Sequence, residues 1–440
     1  LLWAVFGVLV FAVWRRTGHR ATLALIAVAA LPLTSFLAGL LRQLPFDNAL
    51  VAAGSNPLVR YGVPCLTGTA IILALVRWPH TFERWLRRGL LAISFASVVV
   101  IVGLGRAASQ DPAVVKVHRK PPGVAHSAAC PSIVALLFDE LSFAYLYQGS
   151  EVRHEYPALR RLSAAATNYM AVRAPGDETL VALPGYLAGR PAPKVRVAEA
   201  GLMELGEDGK LTPFSAAEAT SLFATARRLG YRTEMAGYYL PYCSLLGRLV
   251  DECRSLSFYN ASGVREGFSP LNPIETTFIM WPWQFPFGIV KNPPFARLQR
   301  GLVGELTAFA RRPLDELQPV FRFVHFSVPH LPFVFDEDGY DPPLDPLRTS
   351  PDDGYQRQLR YVDRLVGEMT AAMERDGSFH RSTFIVFADH GFRFGGRERD
   401  KLHIPFIVKM AGQTVRSDVA EPQRGEVLLT QLVGSACDNR

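Results

Sequence analysis

The chain has 440 residues, with 47 Lys and Arg against 40 Asp and Glu, for a formal net charge of +7. Hydrophobic residues make up 49% and mean hydropathy is +0.12, which excludes a disordered polyelectrolyte and points to membrane contact in part of the chain. The positive balance is no nucleic-acid footprint, because many of its arginines frame apolar stretches instead of forming a basic patch.

Those stretches come first. Residues 1–14, 21–41, 61–76 and 89–105 are apolar runs bracketed by arginines. A helix crossing a hydrocarbon core needs roughly 17–25 apolar residues. The second and fourth runs meet this. The third is short, but Trp78 and the flanking arginines reach the interface. The first is cut short at Leu1, so the chain reads as part of a longer protein. Arginine-rich loops at 15–20 and 77–88 mark the cytoplasmic side. Everything after residue 105 is then expected outside.

The expected organisation is a transmembrane region 1–105, a Pro- and Gly-interrupted linker 106–130, and an extracytoplasmic catalytic domain 131–440. The location that follows is the cell (inner) membrane, multi-pass, with the domain periplasmic or extracellular and the lipid bilayer as partner. Cysteine usage fits that side. Cys243 and Cys253 stand ten residues apart and suit a small closed loop in an oxidising compartment. Cys65 falls in an apolar run, and Cys130 and Cys437 either pair or stay free.

In the outer part, apolar runs of strand length alternate with helical periodicity. SIVALLF (132–138) precedes a helix in EYPALRRLSAAATNY. Residues 215–237 read as a helix, Gly230 at its C-terminal cap, then a strand. VFRFVHFSV (320–328) is a strand, 352–377 a long amphipathic helix, and STFIVFAD and HIPFIVKM close the series. The aromatic- and Pro-rich stretch 238–294 reads as an excursion beside the site. The pattern predicts an α/β domain with a mostly parallel sheet flanked by helices.

Polar groups then gather at strand ends. SIVALLF ends in Asp139-Glu140, VFRFVHFSV in Pro329-His330, STFIVFA in Asp389-His390-Gly391, and the last strand begins at His403. Parallel strands bring their carboxyl ends to one edge, where such groups converge. Singly, each has a bland reading: an Asp after a strand is usually a helix N-cap, and His330 or His403 a satisfied loop histidine. Together they suit a divalent cation, with zinc, manganese and calcium all compatible. A nucleophile is offered by Thr179, at the head of an apolar helix-like stretch whose free N–H groups favour an anionic ester.

In that order, acid, hydroxyl before x-L-x-G-R, Pro-His and Asp-His-Gly, residues 131 to about 435 resemble the alkaline phosphatase and sulfatase superfamily. Sulfatases place a modified cysteine in C-x-P-x-R, with a further L-x-G-R ending twelve residues on by inclusive count. Thr179 to Arg190 has that count, with Leu187-Ala188-Gly189-Arg190 as the ending. Here Thr179, Val181 and Leu183 replace the Cys, Pro and Arg, which rules out the formylglycine modification. A threonine resembles the membrane-anchored branch, the phosphoethanolamine transferases and lipoteichoic acid synthases.

The resemblance implies an alkaline-phosphatase-like domain. Asp139 (Glu140 as second candidate), Thr179, Asp389 and His390 would ligate one divalent metal. It further implies catalytic roles for Thr179, His330 and His403, and an anionic phosphate- or sulfate-ester substrate. Phe326 stands where alkaline phosphatases carry an acid, so two arrangements stay open. His330 and His403 hold a second ion in one, and bind substrate oxygens in the other. Arg393, Arg397, Arg399 and Lys401 either steer an anionic head group or form a solvated loop.

Overall fold

Runs of β-branched and aromatic residues build the centre of the molecule. The computed structural model describes residues 113–118, 130–191, 195–198, 201–205, 210–214, 221–257, 293–331, 333–340, 350–393, 397 and 400–437, and these belong to one structural unit. The four apolar runs of residues 1–105 lie outside the described residues. Among the described residues no helix is long and apolar enough to cross a membrane.

Among the described residues, nine strands form the main sheet: β1 (Ala113–His118), β2 (Ile133–Phe138), β3 (Thr167–Tyr169), β4 (Arg232–Tyr238), β5 (Glu252–Ser257), β6 (Val320–Phe326), β7 (Thr383–Ala388), β8 (Phe406–Lys409) and β9 (Ser417–Val419). Their order is β1-β5-β4-β6-β2-β7-β8-β3-β9. The run β5-β4-β6-β2-β7 is parallel throughout. Strand β8 turns back antiparallel to β7, and β1 runs antiparallel to β5. Every residue of β2, β6 and β7 is buried, as expected for strands covered on both faces.

The longer helices are α1 (Pro157–Ala164), α2 (Thr179–Ala188), α3 (Leu222–Arg228), α4 (Pro293–Ala310), α5 (Pro351–Arg375) and α6 (Gly425–Gly434). Local chemistry sets their limits. Ser350 caps α5 by accepting the Asp353 N–H at 3.1 Å; Pro351 and two acids follow in the first turn, and Arg375 closes the last. Ser221 caps α3, and Gly230 just beyond its end takes φ +83°, a conformation glycine adopts without a Cβ penalty.

Two expectations change. The segment read as a linker contributes the edge strand β1, and the stretch read as an excursion contributes β5. Charged residues interrupt both, Lys116 in β1 and Glu252 and Arg254 in β5, so neither carries the unbroken apolar run that marks β2 and β7. A lysine on an edge strand is a common guard against further pairing, and Lys116 of β1 lies 3.9 Å from Glu305. Both cysteine pairs close: Cys243–Cys253 with Cα atoms 5.6 Å apart, and Cys130–Cys437 at 4.5 Å.

Candidate active site

The register of three neighbouring strands decides what meets at the sheet edge. Phe138 of β2 pairs with Phe326 of β6 and with Ala388 of β7, so Asp139 and Asp389 leave the sheet level with each other. One step earlier, Leu137 pairs with His325 and Phe387. Side chains alternate along a strand with period two, so His325, Asp139 and Asp389 project to one face. Their ligand atoms lie within 4.8 Å of one another, and all three side chains are buried.

Several of these atoms have no hydrogen-bond partner: both oxygens of Asp139, Oδ2 of Asp389 and Nε2 of His325. Unpaired buried polar groups are costly, and four directed at one point fit a cation. Asp389 Oδ1 is held otherwise, accepting the backbone N–H of Glu140 at 3.0 Å and of His390 at 2.8 Å. Burial, then the neighbouring Asp389 charge, raises the Asp139 pKa well above the ordinary carboxylate range. Burial also pushes Asp389 up, but the neighbouring His390 imidazole and the hydrogen bond from the Glu140 N–H outweigh it and hold the carboxyl low. Burial drives His325 down to about 3, so its ring is neutral.

His390 joins the cluster. Its Nδ1 donates to the Gly391 carbonyl at 2.9 Å, and its other ring nitrogen, Nε2, lies among the acids. That atom lies 3.5 Å from Asp389 Oδ2, 3.9 Å from Asp139 Oδ1 and 3.4 Å from Thr179 Oγ1. Thr179 is the first residue of α2. The N-cap position belongs to Glu178, so Thr179 does not cap the helix, and its hydroxyl meets His390 instead. Tyr186 fixes this placement by donating to the Ala388 carbonyl at 2.9 Å, tying α2 to the residue before Asp389. A Cβ on Gly425 would come within 2.6 Å of the Tyr186 hydroxyl, so α6 must carry glycine there. The Leu187-Ala188-Gly189-Arg190 ending forms the C-terminus of α2. Gly189 is at φ +67°, and Arg190 donates to both carboxylate oxygens of Glu204.

The other expected residues sit differently. Glu140, the second metal candidate, turns in the left-handed region at φ +64° and pairs through Oε1 with Arg393. Arg393 also reaches His330 Nε2 at 2.7 Å, while His330 Nδ1 donates to the Leu331 carbonyl. The acceptor nitrogen of His330 is therefore committed to a guanidinium. His403 lies at the same sheet edge because β8 runs back from it, but its Nε2 donates to the Met170 carbonyl and its ring stacks on Phe143. Arg397 lies over the Tyr145 ring, Lys401 is exposed, and Arg399 falls outside the described residues. The sequence reading missed His325, which hides inside an apolar strand; alternation counted back from the strand ends would have found it.

The left-handed turn at Glu140 is held by Tyr355 of α5. Its hydroxyl donates to the Glu140 carbonyl at 2.7 Å and accepts the Ser142 N–H at 2.9 Å. Tyr355→Phe removes both of these buried hydrogen bonds, an expected loss of about 1–3 kcal/mol. In a domain of this size that lowers the unfolding midpoint by about 2–4 °C per kcal/mol. An unchanged midpoint in thermal unfolding would show that the turn stands without the hydroxyl.

The profile of the family described as Sulfatase matches residues 131–432, a span that contains every residue of the site. The chain belongs to the sulfatase family. It thereby falls among the metal-dependent hydrolases of sulfate or phosphate esters, with the α/β fold of the alkaline phosphatase superfamily. A search of curated proteins found no match.

Among solved structures, the chain is similar to Ps i-CgsB in complex with k-i-k-neocarrahexaose (14% identity, 71% of this chain and 72% of that chain, TM-score 0.47). It is similar to a protein in the alkaline phosphatase superfamily from Vibrio parahaemolyticus (14%, 77% and 75%, TM-score 0.41). It is also similar to the phosphonate monoester hydrolase of Agrobacterium radiobacter (15%, 70% and 73%, TM-score 0.40). At these scores the likenesses carry no weight for substrate. Family membership rests on the sequence match.

Proposed function

We propose that this sulfatase-family chain is a membrane-anchored, extracytoplasmic phosphotransferase or phosphoester hydrolase. In this reading Thr179 is the nucleophile and the substrate is a lipid or envelope head group. One observation carries the reading: the Thr179 hydroxyl, at the amino end of α2, lies 3.4 Å from His390 Nε2, the nitrogen that also lies within 3.9 Å of oxygens of the buried Asp139 and Asp389. The two disulfides suit an oxidising compartment outside the cytoplasm.

Asp139, Asp389, His390 and His325 would hold a divalent ion, with Thr179 Oγ1 beside it. Two imidazole nitrogens favour zinc or manganese over calcium. When bound, the ion lowers the pKa of a hydroxyl and polarises the ester. The chain supplies the rest. Free N–H groups in the first turn of α2 attract the anionic ester. Oγ1 gives its proton to water and attacks phosphorus, the bond to the leaving oxygen breaks, and the departing alkoxide takes a proton from water. The oxygen of water or of an acceptor hydroxyl then attacks phosphorus and loses its proton to solvent, while the bond to Oγ1 breaks and the threonine alkoxide takes a proton back from solvent. Arg393, held by Glu140 and His330, is the cation this reading assigns to an anionic head group.

The test uses the purified full chain with its metal, given p-nitrophenyl phosphate and p-nitrophenyl sulfate separately. Faster release from the phosphate, with a group retained on the Thr179 peptide, is expected. Preference for the sulfate would make the chain a sulfatase that works without formylglycine. Turnover of neither would leave a catalytically silent scaffold. Anchoring is tested by Lys120→Cys, which a membrane-impermeant thiol reagent should label in intact cells; labelling only after lysis overturns the topology.

A further inference from the structure

His325 reaches the acid cluster from inside a strand, and something must decide which of its nitrogens faces the acids. Its Nδ1 lies 2.7 Å from the Tyr242 hydroxyl, and both side chains are fully buried. We propose that Tyr242 is a positioning residue whose hydroxyl accepts from Nδ1–H and so turns the bare Nε2 of His325 toward Asp139 and Asp389. The Cys243–Cys253 disulfide holds Tyr242 in that place. The inference rests on the metal reading above and adds to it a residue beyond the ligands. Groups that bind the far nitrogen of a ligating imidazole set its tautomer and ring orientation.

Three features converge on this one contact. The first is a gap. Gly237 of β4 is the register partner of His325, and a Cβ there would come within 2.5 Å of the Tyr242 ring. Glycine leaves the slot through which the ring reaches across to its neighbour strand. The second is a staple. The residue after Tyr242 is bonded to Cys253 of β5, itself paired with Met235 of β4. The short helix Tyr242–Leu246 is therefore fixed to the sheet beside His325. The third is the opposite end of the ring: Nε2 is buried with no hydrogen-bond partner, in an imidazole that brings a ring nitrogen within 4.8 Å of Asp139 and Asp389 oxygens.

The experiment titrates zinc into the metal-stripped full chain against a competing chelator. Tyr242→Phe is expected to weaken zinc binding by about 10- to 100-fold, with the metal-free fold retained by circular dichroism and its unfolding midpoint lowered only as far as one lost buried hydrogen bond requires. Gly237→Ala, which displaces the same ring, should lower affinity in the same direction, and so should Cys253→Ser. In a His325→Ala background, Tyr242→Phe should change nothing further, because its effect runs through that imidazole. Parental affinity in Tyr242→Phe, or an equal loss with and without His325, overturns the role of Tyr242. Failure of the parent itself to bind zinc overturns the metal reading instead, so the two failures are told apart.

Discussion

Thr179→Ala is expected to lower turnover by about 10⁴-fold or more, the scale on which loss of a nucleophile acts, while the chain keeps its metal. That is a barrier increase of about 5.4 kcal/mol. The fold should be indifferent. Thr179 makes no cap hydrogen bond at the N-terminus of α2, and alanine preserves the β-carbon in a site that is only 7% exposed. Metal should remain because two carboxylates and two imidazoles still face one point. The measurement pairs phosphate-ester turnover with elemental analysis of the same sample. Activity within about tenfold of the parent, or about 1.4 kcal/mol, would remove Thr179 from the nucleophile role.

Asp389→Asn should lose metal as well as activity. An amide oxygen can keep the two backbone N–H groups that Oδ1 accepts, from Glu140 and His390. It cannot supply the negative charge at Oδ2, the oxygen now without a partner. An amide nitrogen there would instead face the other buried carboxylate. Metal affinity is expected to fall by at least about 100-fold, or about 2.7 kcal/mol, with activity following. His390→Ala should act likewise. His330→Ala should spare the ion, since its acceptor nitrogen already serves Arg393. Metal stoichiometry on each variant decides it. An Asp389→Asn chain that holds metal like its parent would reduce the Asp-His-Gly stretch to a structural turn.

β2 and β7 were legible because each is an apolar run ended abruptly by an acid, a pattern that depends on nothing outside the run. β2 and β7 therefore located Asp139 and Asp389 directly. β1 and β5 were not legible. AVVKVH and ECRSLS owe their strand conformation to pairing with each other and, for β5, with β4, a partnership that no local window contains. The order of strands is non-local in the same way. It is what sets His325 beside two residues far from it in sequence.

Local chemistry also misled at the histidines. The Pro-His pair drew attention to His330, whereas the imidazole nearest the two acids on β6 is His325, five residues earlier. His403 does lie at the acid-bearing edge, since β8 reverses direction there, but its ring is spent on Met170 and Phe143. A sequence shows which residues are able to bind. It does not show which have already been taken.

The Cys130–Cys437 bond has a mechanical consequence. Its two Cα atoms are 4.5 Å apart although 307 residues separate them in the chain, so the start and end of the domain meet at one point. Tension applied between a segment preceding β1 and one following Cys437 would first peel β1 from β5, an edge strand on its own. The load would then fall on the sulfur–sulfur link, bypassing the sheet. The strands that carry Asp139, His325 and Asp389 would bear no force while that link lasts.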